Sequence, residues 1–312
     1  MHDNEAHHCC ISAFESEKSC PLNYMNMKIS SRPQTIQIFL PSGDARGIRI
    51  AEVTTRIVQA IEIPRNALSD FFSMPESQQI AVYFLFGQSD DDEPLVYIGQ
   101  TSDLKNRLEA HHKEKDFWKR AVVIISRTQS LTNTHTLYLE WKALDEAEKA
   151  GRFKKINANK GSRPYTPAPL EADCLEVLDT TRIILGTLGY PIFEPLLSQK
   201  QKSSDIERFY CTRAGIKAVG EYTDEGFVII AGSTGRAAAS LNYQSATYFR
   251  LKEQLLSKGK ISIDGEYLLF KEDVLFNSPS GAASLVIGNT ANGWVEWKRK
   301  DGKTLDAIKR IS

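Results

Sequence analysis

Residues 81–86 read Ala-Val-Tyr-Phe-Leu-Phe, six consecutive side chains whose only polar atom is the Tyr83 hydroxyl. A strand with apolar groups on both faces is stable only when it is buried inside a layered fold. The next seventy residues supply the layers. Residues 87–94 form a polar loop carrying Asp90, Asp91, Asp92 and Glu93, and residues 95–98 form a second strand, which predicts an antiparallel hairpin. Ser102 or Asp103 can cap a helix that runs to about Lys115, residues 121–126 form a third strand, and residues 136–150 form a strongly periodic helix ended by Gly151. Strand, strand, helix, strand, helix specifies an α+β unit, a small antiparallel or mixed sheet flanked by helices.

The chain has 312 residues, more than one hydrophobic core usually serves, so two domains are expected. Residues 1–27 read as a frayed tail; Met25 and Met27 precede the first patterned segment, and His7, His8, Cys9 and Cys10 lack the second ligand pair of a zinc site. Residues 28–75 read as a small subdomain. It comprises a hairpin at 35–40 and 48–50, a helix at 53–63 stopped by Pro64, and a shorter helix at 65–73. The central unit spans 76–168. An amphipathic helix at 171–188 and a polar linker fill 169–204, and a second mixed α+β domain occupies 205–312. In that domain strands are expected at 210–219, 226–231 and 267–270, a helix at 245–257, a helix start at Ser278, and a strand through Trp294 and Trp297. Trp294 and Trp297 beside Lys298, Arg299 and Lys300 suit either core packing or base stacking.

No apolar run approaches the roughly 20 residues needed to cross a bilayer. Five scattered cysteines do not make a disulfide framework, and a cytoplasmic location is expected. The formal net charge is zero, so any attraction for nucleic acid must be local.

Phosphodiester cleavage requires a positioned water, a group that takes its proton, a cation against the phosphate oxygens and a metal-holding carboxylate. The central unit offers each. Tyr83 and Tyr97 sit on adjacent hairpin strands and can meet on one face. Arg107 and His111, four apart, share a face of the next helix, while Leu104 and Leu108 form its packing side. Glu140 falls near the stripe of Leu137, Trp141 and Leu144, so its carboxylate points toward buried surface and calls for a cation or a donor. From Lys149 to Arg163 inclusive there are six basic residues and no acidic one, Lys154, Lys155 and Lys160 among them, together with Asn157 and Asn159. With Lys105 on the preceding helix, Lys154, Lys155, Lys160 and Arg163 form a plausible strip for nucleic-acid phosphates. Taken singly, each of these residues is also at home in an ordinary fold: strand tyrosines in a core, a solvated arginine face, a structural glutamate ion pair.

Val82-Tyr83, then Tyr97-Ile98-Gly99, Arg107, His111, Glu140 and a downstream asparagine form an ordered series that resembles the GIY-YIG nuclease superfamily over roughly 85 residues. That superfamily includes homing endonucleases, some restriction enzymes and the incision subunit of bacterial nucleotide excision repair. The resemblance implies a divalent-metal-dependent endonuclease acting on DNA. Tyr83 would activate or orient the attacking water with support from Tyr97, Arg107 would stabilise the phosphate, and His111 would assist proton transfer. Glu140 would anchor Mg²⁺ or Mn²⁺, and Asn157, slightly preferred to Asn159, would complete the set. Ala81 stands where the first motif has glycine, and the loop before Tyr97 is long and acidic. The alternative is a noncatalytic nucleic-acid-binding or regulatory protein that keeps the fold. Residues 226–228, 278–283 and 292–297 resemble an uncharacterised C-terminal domain attached to some GIY-YIG and restriction-associated proteins, which implies association with nucleic acid and no defined activity; a protein partner through this domain is also an expectation.

Overall fold

The computed structural model describes residues 33–90, 92–157, 161–197, 207–213, 215–240, 243 and 245–310. The tail 1–27, Asp91, Asn159, Lys160 and most of the expected linker lie outside the described residues. The fold is α+β, and Thr35–Ser312 form one compact unit. No helix among the described residues is long and apolar enough to cross a membrane.

Its centre is a seven-stranded sheet built from β1 (Ile36–Phe39), β2 (Arg49–Val53), β3 (Val58–Pro64), β4 (Ala81–Gln88), β5 (Pro94–Thr101), β6 (Trp118–Ser126) and β7 (Lys154–Lys155). The order is β1-β2-β3-β6-β4-β5-β7, antiparallel except for the parallel β5–β7 pair. Side-chain parity divides the sheet between two cores. Tyr83 and Leu85 face α1 (Leu68–Phe72) and α2 (Leu104–Glu114), together with Ile61, Ile63, Val123 and Ile125. Val82, Phe84, Phe86, Ile98, Val122 and Ile124 face α3 (Asn133–Ala150) and α4 (Ala168–Thr187). The uninterrupted apolar run of β4 is therefore the middle of a three-layer sandwich, buried on both faces as its composition requires.

The hairpin and the small helices of residues 35–73 form as expected, with one correction: the helix read at 53–63 is strand β3. Its apolar residues fit both periods, and pairing with β2 and β6 decides between them. Ala60 and Glu62 then point to one core, Ile61 and Ile63 to the other. Residues 36–64 thus extend the central sheet.

Residues 208–309 surround a separate core of Phe209, Phe227, Phe270, Trp297 and their neighbours. Its strands are β8 (Arg208–Arg213), β9 (Ile216–Thr223), β10 (Gly226–Ile229), β11 (Thr234–Arg236), β12 (Ile261–Asp264), β13 (Tyr267–Phe270) and β14 (Val274–Phe276). They make two antiparallel sheets, β14-β10-β9-β8 and β11-β13-β12. The helices are α5 (Ala246–Ser257), α6 (Pro279–Ile287), α7 (Gly293–Glu296) and α8 (Leu305–Lys309). Ser245 caps α5 and Ser278 caps α6, both through side-chain oxygens. The strand expected at Trp294 and Trp297 is instead the short helix α7, started by the Asn292 side chain. A side chain at Gly293 would place its Cβ 2.1 Å from the Pro279 carbonyl oxygen, so this turn closes only on glycine. Trp297 is fully buried, its indole N–H donating to Pro279 O, which removes it from base stacking. Trp294 is half-buried under the Arg310 guanidinium at 3.7 Å.

Candidate active site

β4 and β5 pair so that Tyr83 lies opposite Gly99, and Tyr97 opposite Leu85. A Cβ at Gly99 would fall 2.3 Å from Tyr83 Oη and 2.5 Å from its Cζ. The Tyr83 ring thus crosses the space above Gly99, which explains in packing terms why a glycine comes after Tyr97-Ile98. Tyr83 is wholly buried and stacks at 6.2 Å on the half-exposed Tyr97.

α2 begins at Asp103, whose side chain accepts from Asn106 N, and presents Arg107 and His111 to this pair. Arg107 Nε donates to Tyr83 Oη at 3.0 Å, and a second guanidinium nitrogen reaches Tyr97 Oη at 3.5 Å. His111 Nε2 lies 2.8 Å from Tyr83 Oη and the ring packs edge-on to Tyr97. His111 is buried, and burial together with the charges of Arg107 and Lys115 pulls its pKa down to about 4. Its Nδ1 is buried without a hydrogen-bond partner. A lone pair left unpaired is less costly than an N–H left unpaired, so the tautomer with hydrogen on Nε2 is favoured. The Tyr83 oxygen then accepts from both Arg107 and His111. Burial pushes the Tyr83 pKa up strongly, and the Arg107 hydrogen bond opposes the shift.

Glu140 arrives from the other side of the sheet, on α3. β7 pairs with β5 at Leu95 and Val96, with Ile156 N donating to Val96 O, and among the described residues no strand pairs with the edge beyond Ile98. The Gln100 backbone N–H at this edge donates to Glu140. Burial raises the Glu140 pKa, opposed by the Arg107 charge and by that backbone hydrogen bond. A half-buried carboxylate with one backbone donor and a nearby arginine, but no ion pair among the described residues, retains lone pairs for a cation. The stripe used to place Glu140 needs one correction: Leu137 is exposed, and α3 packs through Tyr138, Leu139, Ala143, Leu144 and Ala147.

Tyr83, Tyr97, Arg107 and His111 therefore meet in direct contact, and Glu140 lies close enough for the Arg107 charge to act on it. Asn157 stands apart from them. Its Oδ1 accepts from Ile98 N at 3.1 Å and its Nδ2 donates to Ile98 O at 2.7 Å. It extends the β7 pairing by one side chain and fixes the backbone between Tyr97 and Gly99, so it positions the site rather than entering it. Three cations of the basic strip form ion pairs, and Lys160 lies outside the described residues. Lys154 pairs with Glu93, Lys155 with Glu148, and Arg163 with Glu171 while lying 5.7 Å from the Trp141 ring centroid. Lys105 is exposed and sits 5.9 Å from the Phe72 ring centroid. The acidic loop lies at the far end of the β4–β5 hairpin from Gly99, where Glu93 meets Lys154. A cleft of about 550 Å³ lies near that end too, lined by Lys154, Leu251 and Lys260 among others, away from the tyrosines. Sequence reasoning missed Gln100, whose backbone holds Glu140, and Lys115, four residues beyond His111.

No match was found to a curated protein or to a solved structure. Residues 209–309 match the family model of a domain of unknown function (DUF4357), which bears out the expectation of an uncharacterised C-terminal domain.

Proposed function

We propose that the chain is a divalent-metal-dependent endonuclease of the GIY-YIG type that hydrolyses phosphodiester bonds in DNA. The observation that carries this reading is the contact of two tyrosines, an arginine and a histidine in one layer, with a desolvated carboxylate of the opposite layer near enough to feel the Arg107 charge. A purely structural network would satisfy its members; this one leaves Glu140 underpaired and His111 Nδ1 without a partner.

In this reading Glu140 would hold Mg²⁺ or Mn²⁺, which supplies charge neutralisation for the phosphate and the departing oxygen. Arg107 sits against both phenols and bears on a phosphate oxygen, stabilising charge that builds up during attack. With two N–H donors on its oxygen, Tyr83 is held where its own hydrogen can donate to the oxygen of the attacking water and orient it. His111 stays neutral near pH 7 and assists as an Nε2–H donor that steadies the Tyr83 oxygen. Tyr97 covers the pair and limits access of bulk water. The C-terminal domain supplies recognition of substrate or partner.

The test is incubation of supercoiled plasmid, branched DNA and single-stranded DNA with Mg²⁺ or Mn²⁺. Nicking that stops on adding a chelator and is lost in Glu140→Ala supports the reading. The second reading, a noncatalytic nucleic-acid-binding protein, is favoured by the complete burial of Tyr83. DNA binding without cleavage of any substrate would select it.

A further inference from the structure

The described lysines and arginine of 154–163 are each tied to a carboxylate, and the charges of the whole chain cancel. The phosphate backbone must then be drawn by something nearer the tyrosines. Arg107, His111 and Lys115 succeed one another at intervals of four along α2 and its C-cap, the spacing that stacks side chains into one ridge. Lys115 Nζ lies 4.9 Å from the centroid of the Tyr97 ring, whose hydroxyl receives Arg107. Two cations thus meet the same half-exposed phenol, one at its hydroxyl and one against its ring. Both act on His111, which stands between them and carries no compensating charge near neutral pH. Neighbouring carboxylates do not cancel Lys115: Asp116 is bound by Arg65, and no ion pair to Lys115 occurs among the described residues. Glu140 lies on the Arg107 side, at the Gln100 edge. Arg107 and Lys115 thus place at Tyr97 two cations that form no ion pair among the described residues, although the chain as a whole is neutral.

Building on the nuclease reading, we propose that Lys115 and Tyr97 form a second phosphate subsite, which holds the backbone phosphate adjacent to the one facing Arg107. The ligand is a phosphodiester of the nucleic-acid backbone, bound without regard to base. The sequence-distant strip of 149–163 is not needed for it. Lys115 sits at a helix end with its ammonium against the Tyr97 ring, and a long flexible side chain there can move the ammonium to a phosphate oxygen at little cost.

The experiment uses the full chain carrying Glu140→Gln, to stop cleavage, and follows the anisotropy of a fluorescein-labelled short DNA duplex between roughly 50 and 200 mM salt. Lys115→Met, which keeps an unbranched apolar side chain and removes the charge, is expected to weaken binding by about five- to tenfold and to reduce the slope of log affinity against log salt by about 0.9, the share of one phosphate contact. Lys115→Arg is expected to restore both, a rescue that a purely packing role would not give. An unchanged melting temperature in Lys115→Met excludes misfolding as the cause. If DNA binds with the wild-type slope in Lys115→Met, the subsite is refuted and the nuclease reading stands. If the wild-type chain neither binds nor cuts DNA, both are refuted.

Discussion

Two glutamates in this protein each stand beside an arginine and near a tyrosine, yet their surroundings differ in kind. Glu62, on β3, is completely buried. It receives Arg49, Arg120 at 3.2 Å and the Tyr190 hydroxyl at 2.7 Å. Glu140, on α3, is half-buried and is served by the Gln100 backbone and by the more distant charge of Arg107. Desolvating a carboxylate is unfavourable in both places, but only at Glu62 do direct partners offset it. The difference separates a carboxylate that holds the fold together from one held ready for something the protein itself does not supply.

The largest expected contrast is in activity and stability together. Glu140→Gln is expected to lower metal-dependent nicking by a factor on the order of 10³. The same change is expected to leave the melting temperature unchanged or raise it. Glu62→Gln is expected to destabilise by about 3–5 kcal/mol in denaturant unfolding, because two arginines lose their anion. Next in size, Gly99→Ala forces Tyr83 out of its place over β5. It should cut nicking by roughly 10² and stability by about 1–3 kcal/mol, and wild-type activity in this variant would remove Tyr83 from the mechanism.

The comparison also has a pH signature. The folded-state pKa of Glu140 is raised, so the folded protein binds that proton more tightly than the unfolded chain does. Its contribution to stability is present at low pH and is lost as pH rises through the raised value, which is why Glu140→Gln should not destabilise at neutral pH. Activity needs the carboxylate ionised and falls as pH drops through the same value. His111 works in the opposite direction: its folded pKa of about 4 lies below the ordinary 6.5, so its contribution is present above 6.5 and is lost as pH falls toward 4. His111→Gln should flatten the fall in melting temperature across that window, and an unaltered profile would show that His111 is not buried neutral. The smaller effects come from residues that brace or border the site. Asn157→Ala removes two hydrogen bonds to Ile98 and is expected to lower stability by about 1–3 kcal/mol and nicking only modestly. Lys154→Ala and Arg163→Ala break exposed ion pairs and should each change nicking less than about twofold.

Local chemistry makes much of this legible in the sequence. The apolar run of β4, the Asp103 and Ser278 caps and the left-handed Gly151 that ends α3 are signals carried by a few neighbouring residues. Tyr83, Tyr97, Arg107 and His111 are also readable, because hairpin pairing and a four-residue helical interval bring them together with little help from the rest of the fold. The hidden features depend on distant partners. Residues 53–63 satisfy helix and strand patterns alike until β6 pairs with them. The basic strip reads as free charge until Glu93, Glu148 and Glu171 arrive from other segments. That Glu140 comes to the edge of β5 at Gln100, from the layer opposite the tyrosines, depends on how α3 packs across the sheet, which no local pattern encodes.

The most direct test compares Glu140→Gln and Glu62→Gln in one experiment, with nicking of supercoiled plasmid in Mg²⁺ and thermal melting on the same preparations. The expected result is loss of nicking with an undiminished melting temperature for Glu140→Gln, and a lowered melting temperature for Glu62→Gln with nicking retained below its transition. Nicking at the wild-type rate by folded Glu140→Gln would contradict the assignment of this carboxylate to catalysis.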